Sequence, residues 1–491
     1  MKSTGVMKLN LGGTSVVCVT LAGLAASGLA LPALGQTWTN SGGNAGRNGQ
    51  TSERGPDAPE TIWTTAPTSV IAWQPVIEGR RVFVVRQTGF PPEPASDRSP
   101  IICLDLDTGA ELWRFNIPFV TGQWTTWIAG VKDGRVYASR SGNGGSVAAV
   151  MYCLDASDGS VLWTSDDTTT AGFYDGVVFA SNGDPIVADF RNITRIDHMT
   201  GDTVWRVSRL CSVSGNCGGA LSADAVYVAD AVAGGHSIKR FDLATGALGY
   251  QSAVMPGFTL QNSPMVGPDG TVYLSRTQNN VATDFFYAFE DTGSALVQKW
   301  SVPAQWTTSA ECAVGPDGSV YFMAPGLLVT RLDPDTGAII DQAEVPILND
   351  GSNTTARMAV DRDGRVFLTN GAFTNGRLYS YDADLSLRWS VPFAAVNIGG
   401  PSMGPDGTLV IAGTSTNMRA YRTAVPPCAA DVNGDGVADV LDFLDYLNAF
   451  SACDGQPAPC DAGGVSGDFN DDGIVDVLDL LDFLDAFSAG C

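Results

Sequence analysis

A short phrase returns along most of this chain, and no other feature limits its fold as tightly. It reads as an apolar residue, an acid, a Gly-containing turn and a strand ending in Trp. The copies are "CLDLDTGAELW", "CLDASDGSVLW", "RIDHMTGDTVW", "RFDLATGALGY", "AFEDTGSALVQKW", "RLDPDTGAII" and "SYDADLSLRW". Their acids are Asp105, Asp155, Asp197, Asp242, Glu290, Asp333 and Asp382, in steps of 50, 42, 45, 48, 43 and 49 residues. An eighth unit ends in "RAYRTA" near Arg422, 40 residues after Asp382, and lacks both the acid and the last strand. Each unit also carries an upstream turn, as in "GPDGTVYLS" and "DRDGRVFLT". Asp-Gly followed by alternating apolar residues marks a tight turn entering a strand. Two hairpins make four strands per unit, and such units at this spacing, without helical periodicity, specify the blades of a β-propeller.

The strand missing from the eighth unit has a candidate near the N-terminus. "ETIWTT", from Glu60, reads as a Trp-ending outer strand without its predecessors. Pairing it with the last unit would close the ring and remove two sheet edges open to aggregation. The expected fold is therefore mainly β, an eight-bladed propeller with seven blades as the alternative count, followed by a small helical domain. The expected divisions are a signal peptide over 1–35, a lead-in over 36–59, the propeller over 60–424, a linker over 425–427 and the tail over 428–491.

The first residues, "MKSTGVMK", precede an apolar run from Val16 to Leu31 and small residues before Gln36. This is the pattern of a cleaved secretory signal. The expected location is secreted, periplasmic or at the cell surface, with no membrane span in the mature chain. Net charge is −24, and the tail from Cys428 carries fourteen Asp with no Lys or Arg. An acidic body without a basic patch argues against nucleic-acid partners.

Export permits disulfides. Cys428, Cys453, Cys460 and Cys491 bracket two repeats in the tail. Three pairings are open to four cysteines; the repeat suggests Cys428–Cys453 with Cys460–Cys491. Cys211 and Cys217 flank "SVSGN" and could close a small loop, while Cys103 and Cys153 hold equivalent places in two repeats as buried thiols or a bridge.

The motif DxxTGxxxW is the signature of the pyrroloquinoline-quinone-like repeat, and the propeller region resembles that family. Its members include quinoprotein alcohol dehydrogenases and the propeller lipoprotein of outer-membrane assembly. The resemblance implies the fold and not the cofactor, because function resides in sites grafted on a fold. The quinone enzymes show two adjacent cysteines over the cofactor, whereas this chain has no Cys-Cys pair and no CxxCH haem motif. Bound quinone is therefore not expected. The recurring Trp residues read as packing between blades. The only histidines, His198 and His236, both read as loop residues. No catalytic motif emerges, and catalytic residues stay unassigned.

In the tail, "DVNGDGVADVLD" from Asp431 returns as "DFNDDGIVDVLD" from Asp468. A calcium loop needs oxygen ligands at positions 1, 3, 5, 7, 9 and 12 and Gly at position 6. The first loop offers Asp431, Asn433, Asp435, the Val437 carbonyl, Asp439 and Asp442 around Gly436. The second offers Asp468, Asn470, Asp472, the Ile474 carbonyl, Asp476 and Asp479 around Gly473. The apolar runs after each loop read as two paired helices. The duplicated half-hands, with Asp at position 12, resemble dockerin domains, and the flanking cysteines are similar to dockerin-like tails of planctomycete-type exported proteins. Cellulosomal dockerins often carry small hydroxyl residues at positions 10 and 11, where they meet cohesin; here Val440-Leu441 and Val477-Leu478 depart from that pattern. The resemblance implies two calcium ions and a cohesin-like or other cell-surface partner. The propeller is then expected to bind an unidentified protein or glycan. The competing expectation is an extracellular enzyme, either quinone-dependent or part of a polysaccharide-degrading complex.

Overall fold

The structure is a computed structural model. It describes residues 38–489 apart from 68–73, 86–99, 121, 124, 142–147, 170–175, 212–217, 257–262, 277–281, 306–308, 311, 346–354, 357, 370–375, 394–399, 413–416, 424–429, 434–437, 458, 463–464 and 471. The expected signal peptide lies outside these residues.

Seven antiparallel sheets follow in sequence order at 76–115, 125–169, 178–208, 220–251, 265–303, 313–344 and 358–392. They are blades 1 to 7. Blade 8 joins Pro401–Met403, Leu409–Ile411 and Asn417–Tyr421 to Thr61–Pro67, with Thr61 opposite Tyr421 and Trp63 opposite Ala420. "ETIWTT" thus supplies the last strand, and the ring has eight blades. Second strands such as Val320–Ala324 are buried at every position, whereas outer strands such as Ile339–Glu344 alternate between half-buried and exposed. Continuous apolar runs inside and alternating ones outside are what the position of each strand in a blade requires.

The repeat phrase builds the joints between blades. In five seams the outer-strand Trp lies over the turn Gly of the following blade. A Cβ on Gly109, Gly159, Gly201, Gly246 or Gly337 would stand 2.6 or 2.7 Å from the rings of Trp63, Trp113, Trp163, Trp205 and Trp300 respectively. These glycines have φ between 69° and 84°, a region that also disfavours a side chain. Each indole Nε1 donates to a carbonyl beside that turn: Leu106, Ala156, His198, Leu243 or Pro334, at 2.7–3.1 Å. The acid at the head of the phrase caps its own turn, as when Asp105 accepts from Asp107 and Thr108 N–H. The recurring Trp, Gly and Asp residues therefore act between and within blades.

The lead-in, from Trp38 onward, runs along the ends of the innermost strands. Its carbonyls at Trp38, Thr39, Ala45, Gly46, Asn48 and Gly49 accept from the N–H groups of Ile77, Val131, Leu221, Val266, Val314 and Val360, one each in blades 1, 2, 4, 5, 6 and 7. Arg47 is buried, and its guanidinium donates to Gly219 O, Ser41 O and Gly176 O, joining blades 3 and 4 to the lead-in. Gly55 N–H donates to Asp361 and Asp57 N–H to Thr423 Oγ1, which ties the segment to blades 7 and 8. The lead-in thus spans one end of the propeller axis.

Removing Glu60–Thr65 leaves blade 8 without its outer strand and seam 8–1 without its indole. Lost solubility or a large fall in Tm is expected, and a deletion protein melting like the parent would contradict this closure. Trp163→Ala empties one seam and should cost about 3–5 kcal/mol, read from denaturant unfolding.

Candidate functional site

In the tail, α1 (Val440–Cys453) and α2 (Val477–Ala489) each follow one acidic loop. Their shared core contains Tyr446 and Phe483, stacked at 4.1 Å between ring centroids, with Phe443, Phe469 and Phe487 around them. The two halves begin their helices identically. Asp439 Oδ1 accepts from Leu441 N–H at 2.7 Å while Asp442 accepts from Asp439 N–H at 2.9 Å. In the second half Asp476 accepts from Leu478 N–H at 2.7 Å and Asp479 from Asp476 N–H at 2.8 Å. These are reciprocal caps that satisfy the first N–H groups of a helix. Asp442 also accepts from Asn433 N–H, and Asp479 from Asn470 and Phe469 N–H. Asp468 accepts from Asp472 and Gly473 N–H, folding the second loop over its first ligand position.

Asp442, Asp468 and Asp479 are buried, and the tail has no Lys or Arg to pair with them. Burial pushes the Asp442 and Asp479 carboxyls up, but the loop N–H groups outweigh it and hold both below the ordinary value. Of the expected ligands, Asp435 and Val437 lie outside the described residues. Asp431, Asn433, Asp439, Asp468, Asn470, Asp472, Ile474 and Asp476 lie in the loops flanking the helices, with Asp442 and Asp479 in the first helical turns. Among the described residues, no three Asp, Glu, His or Cys side chains stand together as a finished cage. The oxygen-rich and cation-poor donor set, three of whose carboxylates are buried, fits a hard ion by its chemistry.

The disulfide expectation needs correction. Cys453 is bonded to Cys460, with Cα atoms 5.7 Å apart, and not to Cys428. α1 ends at Cys453, and the chain turns back at once: Gly455 N–H donates to Val475 O and Val475 N–H to Gln456 O. That turn returns Cys460 to the helix end, so the bridge joins the two repeats instead of closing each. Cys428 and Cys491 lie outside the described residues. Cys211 is disulfide-bonded, and its expected partner Cys217 also lies outside them. Cys103 and Cys153 are free and buried, and burial pushes each thiol up to about 12.

Sequence reading missed two features. Val440, Leu441 and Leu444 on α1 and Val477, Leu478 and Leu481 on α2 are all exposed, the same three positions in each repeat. Their places at and after loop positions 10 and 11 were the available signal. His236 is buried in the strand Gly235–Asp242 and does not lie in a loop. His198 does follow a strand, and its Nδ1 meets Asp184 at 2.8 Å. Asp184 is buried and also takes Arg195 and Asn182.

An eight-bladed ring of DxxTGxxxW units, sealed by indole on glycine and followed by a helical tail, defines a propeller of quinoprotein-like repeats. The chain belongs to the family described as outer membrane protein assembly factor BamB, which matches residues 97–340 and, overlapping them, 189–424. Those matches together span about two thirds of the 491 residues and leave out the tail. No curated protein matches the chain. Among solved structures, the fold is similar to BamB from Moraxella catarrhalis, at 14% identity and TM-score 0.53, covering 74% of this chain and 100% of that one. It is also similar to a quinohemoprotein alcohol dehydrogenase from Comamonas testosteroni, at 12% identity and TM-score 0.52, covering 80% and 82%. A computationally designed protein, Ika8, shares the fold at 12% identity and TM-score 0.52, covering 74% and 99%.

Burial alone raises the Asp184 carboxyl, but bonds from His198, Asn182 and Arg195 outweigh it and hold it below the ordinary value. A depressed folded-state pKa contributes stability above the unfolded value of about 3.9 and loses it as pH falls through the folded value. Asp184→Asn should therefore lower stability near neutrality and narrow its gap to the parent below about pH 4, read from urea melts across that range.

Proposed function

We propose that the protein is an exported binding or scaffolding propeller, attached or sorted through a calcium-binding, dockerin-like tail. The observation carrying this reading is the burial of three carboxylates in a domain without a single basic side chain. Backbone N–H groups hold these carboxylates but bring no positive charge, and a divalent ion is the countercharge that this ligand spacing suits. The first site would use Asp431, Asn433, Asp435, the Val437 carbonyl, Asp439 and Asp442. The second would use Asp468, Asn470, Asp472, the Ile474 carbonyl, Asp476 and Asp479. Calcium, when bound, would supply charge neutralisation, so that binding energy becomes folding energy. The chain's own residues do the rest: Asp439 and Asp476 hold the helix starts, and the Tyr446–Phe483 stack sets the helices side by side. This presents the six exposed aliphatic residues to a partner, a cohesin-like or other cell-surface protein with an apolar patch.

The propeller supports a binding role through what its repeats are used for. Trp, Gly and Asp are committed to seams and turns, and the lead-in already spans one end of the axis, which leaves faces and grooves as the free surface. The enzyme reading has no comparable observation behind it.

Isothermal titration of the full chain should show two calcium sites, with affinities in the range of about 10⁻⁷–10⁻³ M. Asp468→Ala with Asp479→Ala should remove one. Cosedimentation with the producing cell's envelope should require calcium and fail in Leu441→Asp with Leu478→Asp; retention indifferent to chelator and to that pair would refute the attachment role. Mixed with quinone and calcium, the protein should retain no quinone through gel filtration, and stoichiometric retention would favour the oxidoreductase.

A further inference from the structure

Seam 4–5 breaks the repeat rule on both sides. Blade 4 ends in Tyr250 where six of the other blades carry Trp, and the facing turn of blade 5 is "EDTGSA", which begins with Glu290. Gly293 in that turn has no ring above it: a Cβ there would meet nothing within 4 Å, against 2.6 or 2.7 Å at the five indole seams. The space is not closed by another side chain. It forms a cavity of about 370 Å³ lined by Tyr227, Arg240, Asp269, Glu290, Asp291 and Gly293 among others. Ser222, Asp224, Asp269 and Gly270 also line a second cavity of about 690 Å³ nearer the axis. The two are therefore halves of one trough.

The halves differ in chemistry. The inner half has Ala45 of the lead-in, Phe179, Leu221, Leu243, Val266 and Pro268 in its walls. The outer half is acidic. Its Arg240 is already held by Asp224 at 2.5 Å and Asp291 at 3.1 Å, over the ring of Tyr250. Asp291 is further occupied by the Tyr227 hydroxyl at 2.6 Å and by Tyr250. Glu290 and Asp269 are exposed and, among the described residues, enter no ion pair; Asp269 takes only Thr271, through its N–H and hydroxyl. Two carboxylates thus face the outer half outside any ion pair, while the one lysine in the trough wall, Lys132 of the inner half, is held by Asp133 at 3.9 Å.

We propose that this trough is a peptide-binding groove for an extended basic segment, apolar side chains in the inner half and Lys or Arg against Glu290 and Asp269. The proposal rests on reading the propeller as a binding module and names the chemistry of its partner. Volumes of this order suit specific ligands, and the progression from apolar to acidic suits a chain with both kinds of side chain better than a compact solute. This end of the propeller already accepts one extended strand of polypeptide, since Leu221 and Val266 beside the trough donate their N–H groups to lead-in carbonyls. A charged rim adds selectivity and encounter rate to the contact of the apolar half.

The test uses the full chain in calcium at physiological salt and a fluorescein-labelled Leu-Lys-Phe-Lys-Leu-Lys peptide, with the Leu-Glu-Phe-Glu-Leu-Glu peptide as its opposite. Anisotropy should report binding of the first and none of the second. Asp269→Asn with Glu290→Gln should weaken binding on the order of tenfold. Ala45→Trp, which fills the inner half, should weaken it independently. Asp445→Asn with Asp482→Asn removes the same charge from exposed sites on the tail and should change nothing. All these positions are at least partly exposed, so unchanged melting certifies each fold. Equal losses from groove and tail pairs, full binding by the groove variants, or no binding of the Lys peptide would each overturn the proposal. None of these outcomes touches calcium-dependent retention through the tail, which is read on different residues.

Discussion

The indole that rests on the next blade's turn is the interaction from which the rest of the propeller follows. It combines a large apolar burial with a single directed hydrogen bond, so it fixes both the distance and the angle between neighbouring sheets. The glycine beneath it is required twice, by the close approach of the ring and by the positive φ of the turn. Exceptions to the pairing obey the same physics. Blade 6 carries Asp341 where the Trp would be, and the facing turn of blade 7 has Leu385 at φ 61°, buried, in place of a glycine. The carbonyl that an indole would have met, at Ala383, instead accepts from Arg331 at 3.1 Å. A lost donor is replaced, because a buried carbonyl without a partner would cost more than the indole's packing alone suggests.

Seams fix the relation between neighbours, but a ring also needs its ends joined and its axis satisfied. The inner strands converge there with N–H groups that have no partner within their own blades. Lead-in carbonyls accept six of them, so a segment with few apolar side chains becomes part of the core through its backbone. The same stretch delivers Thr61–Pro67 to blade 8, where the two ends of the propeller sequence pair. Asp57 reinforces the junction by meeting Arg365 at 2.9 Å and Arg388 at 3.1 Å. Blade 8 can form only when residues more than three hundred positions apart in sequence have met, a non-local step of the kind that slows folding.

Much of this was legible because a repeat states its own geometry. Spacing gave the blade count, and the stranded Trp of "ETIWTT" gave the closure. The role of the lead-in was not legible: backbone carbonyls leave no mark in side-chain pattern, and Arg47 bonds to carbonyls that no motif announces. In the tail, ligand spacing pointed to the loops, and the loop carboxylates do organise them. The disulfide went astray because two similar half-domains suggested two similar bridges. The turn after α1 is set instead by pairing with Val475, a contact between the halves that symmetry within each half does not reveal. His236 follows "AGG", which reads as a loop before the strand, but the hairpin already turns at Ala233-Gly234 and pairs His236 with Ala231.

The departures from the repeat carry more functional information than the repeat itself. A Trp, Gly or Asp that holds a seam or caps a turn has its contacts already assigned, and a ligand would have to compete with them. Glu290 illustrates the opposite case. It sits at the repeat's acid position, yet its turn is shorter than that of "CLDLDTG", and the capping bond to Gly293 N–H comes from Asp291 instead. Released from the turn, Glu290 faces outward beside a gap that the absent indole leaves open. The tail follows the same logic from the electrostatic side. Asp439 and Asp476 are occupied as helix caps, and the buried Asp442 and Asp479 complete those caps and accept further loop N–H groups, but no basic side chain stands beside them. In the propeller, Glu290 is the repeat acid whose charge exceeds its structural use, and it lies where the repeat breaks.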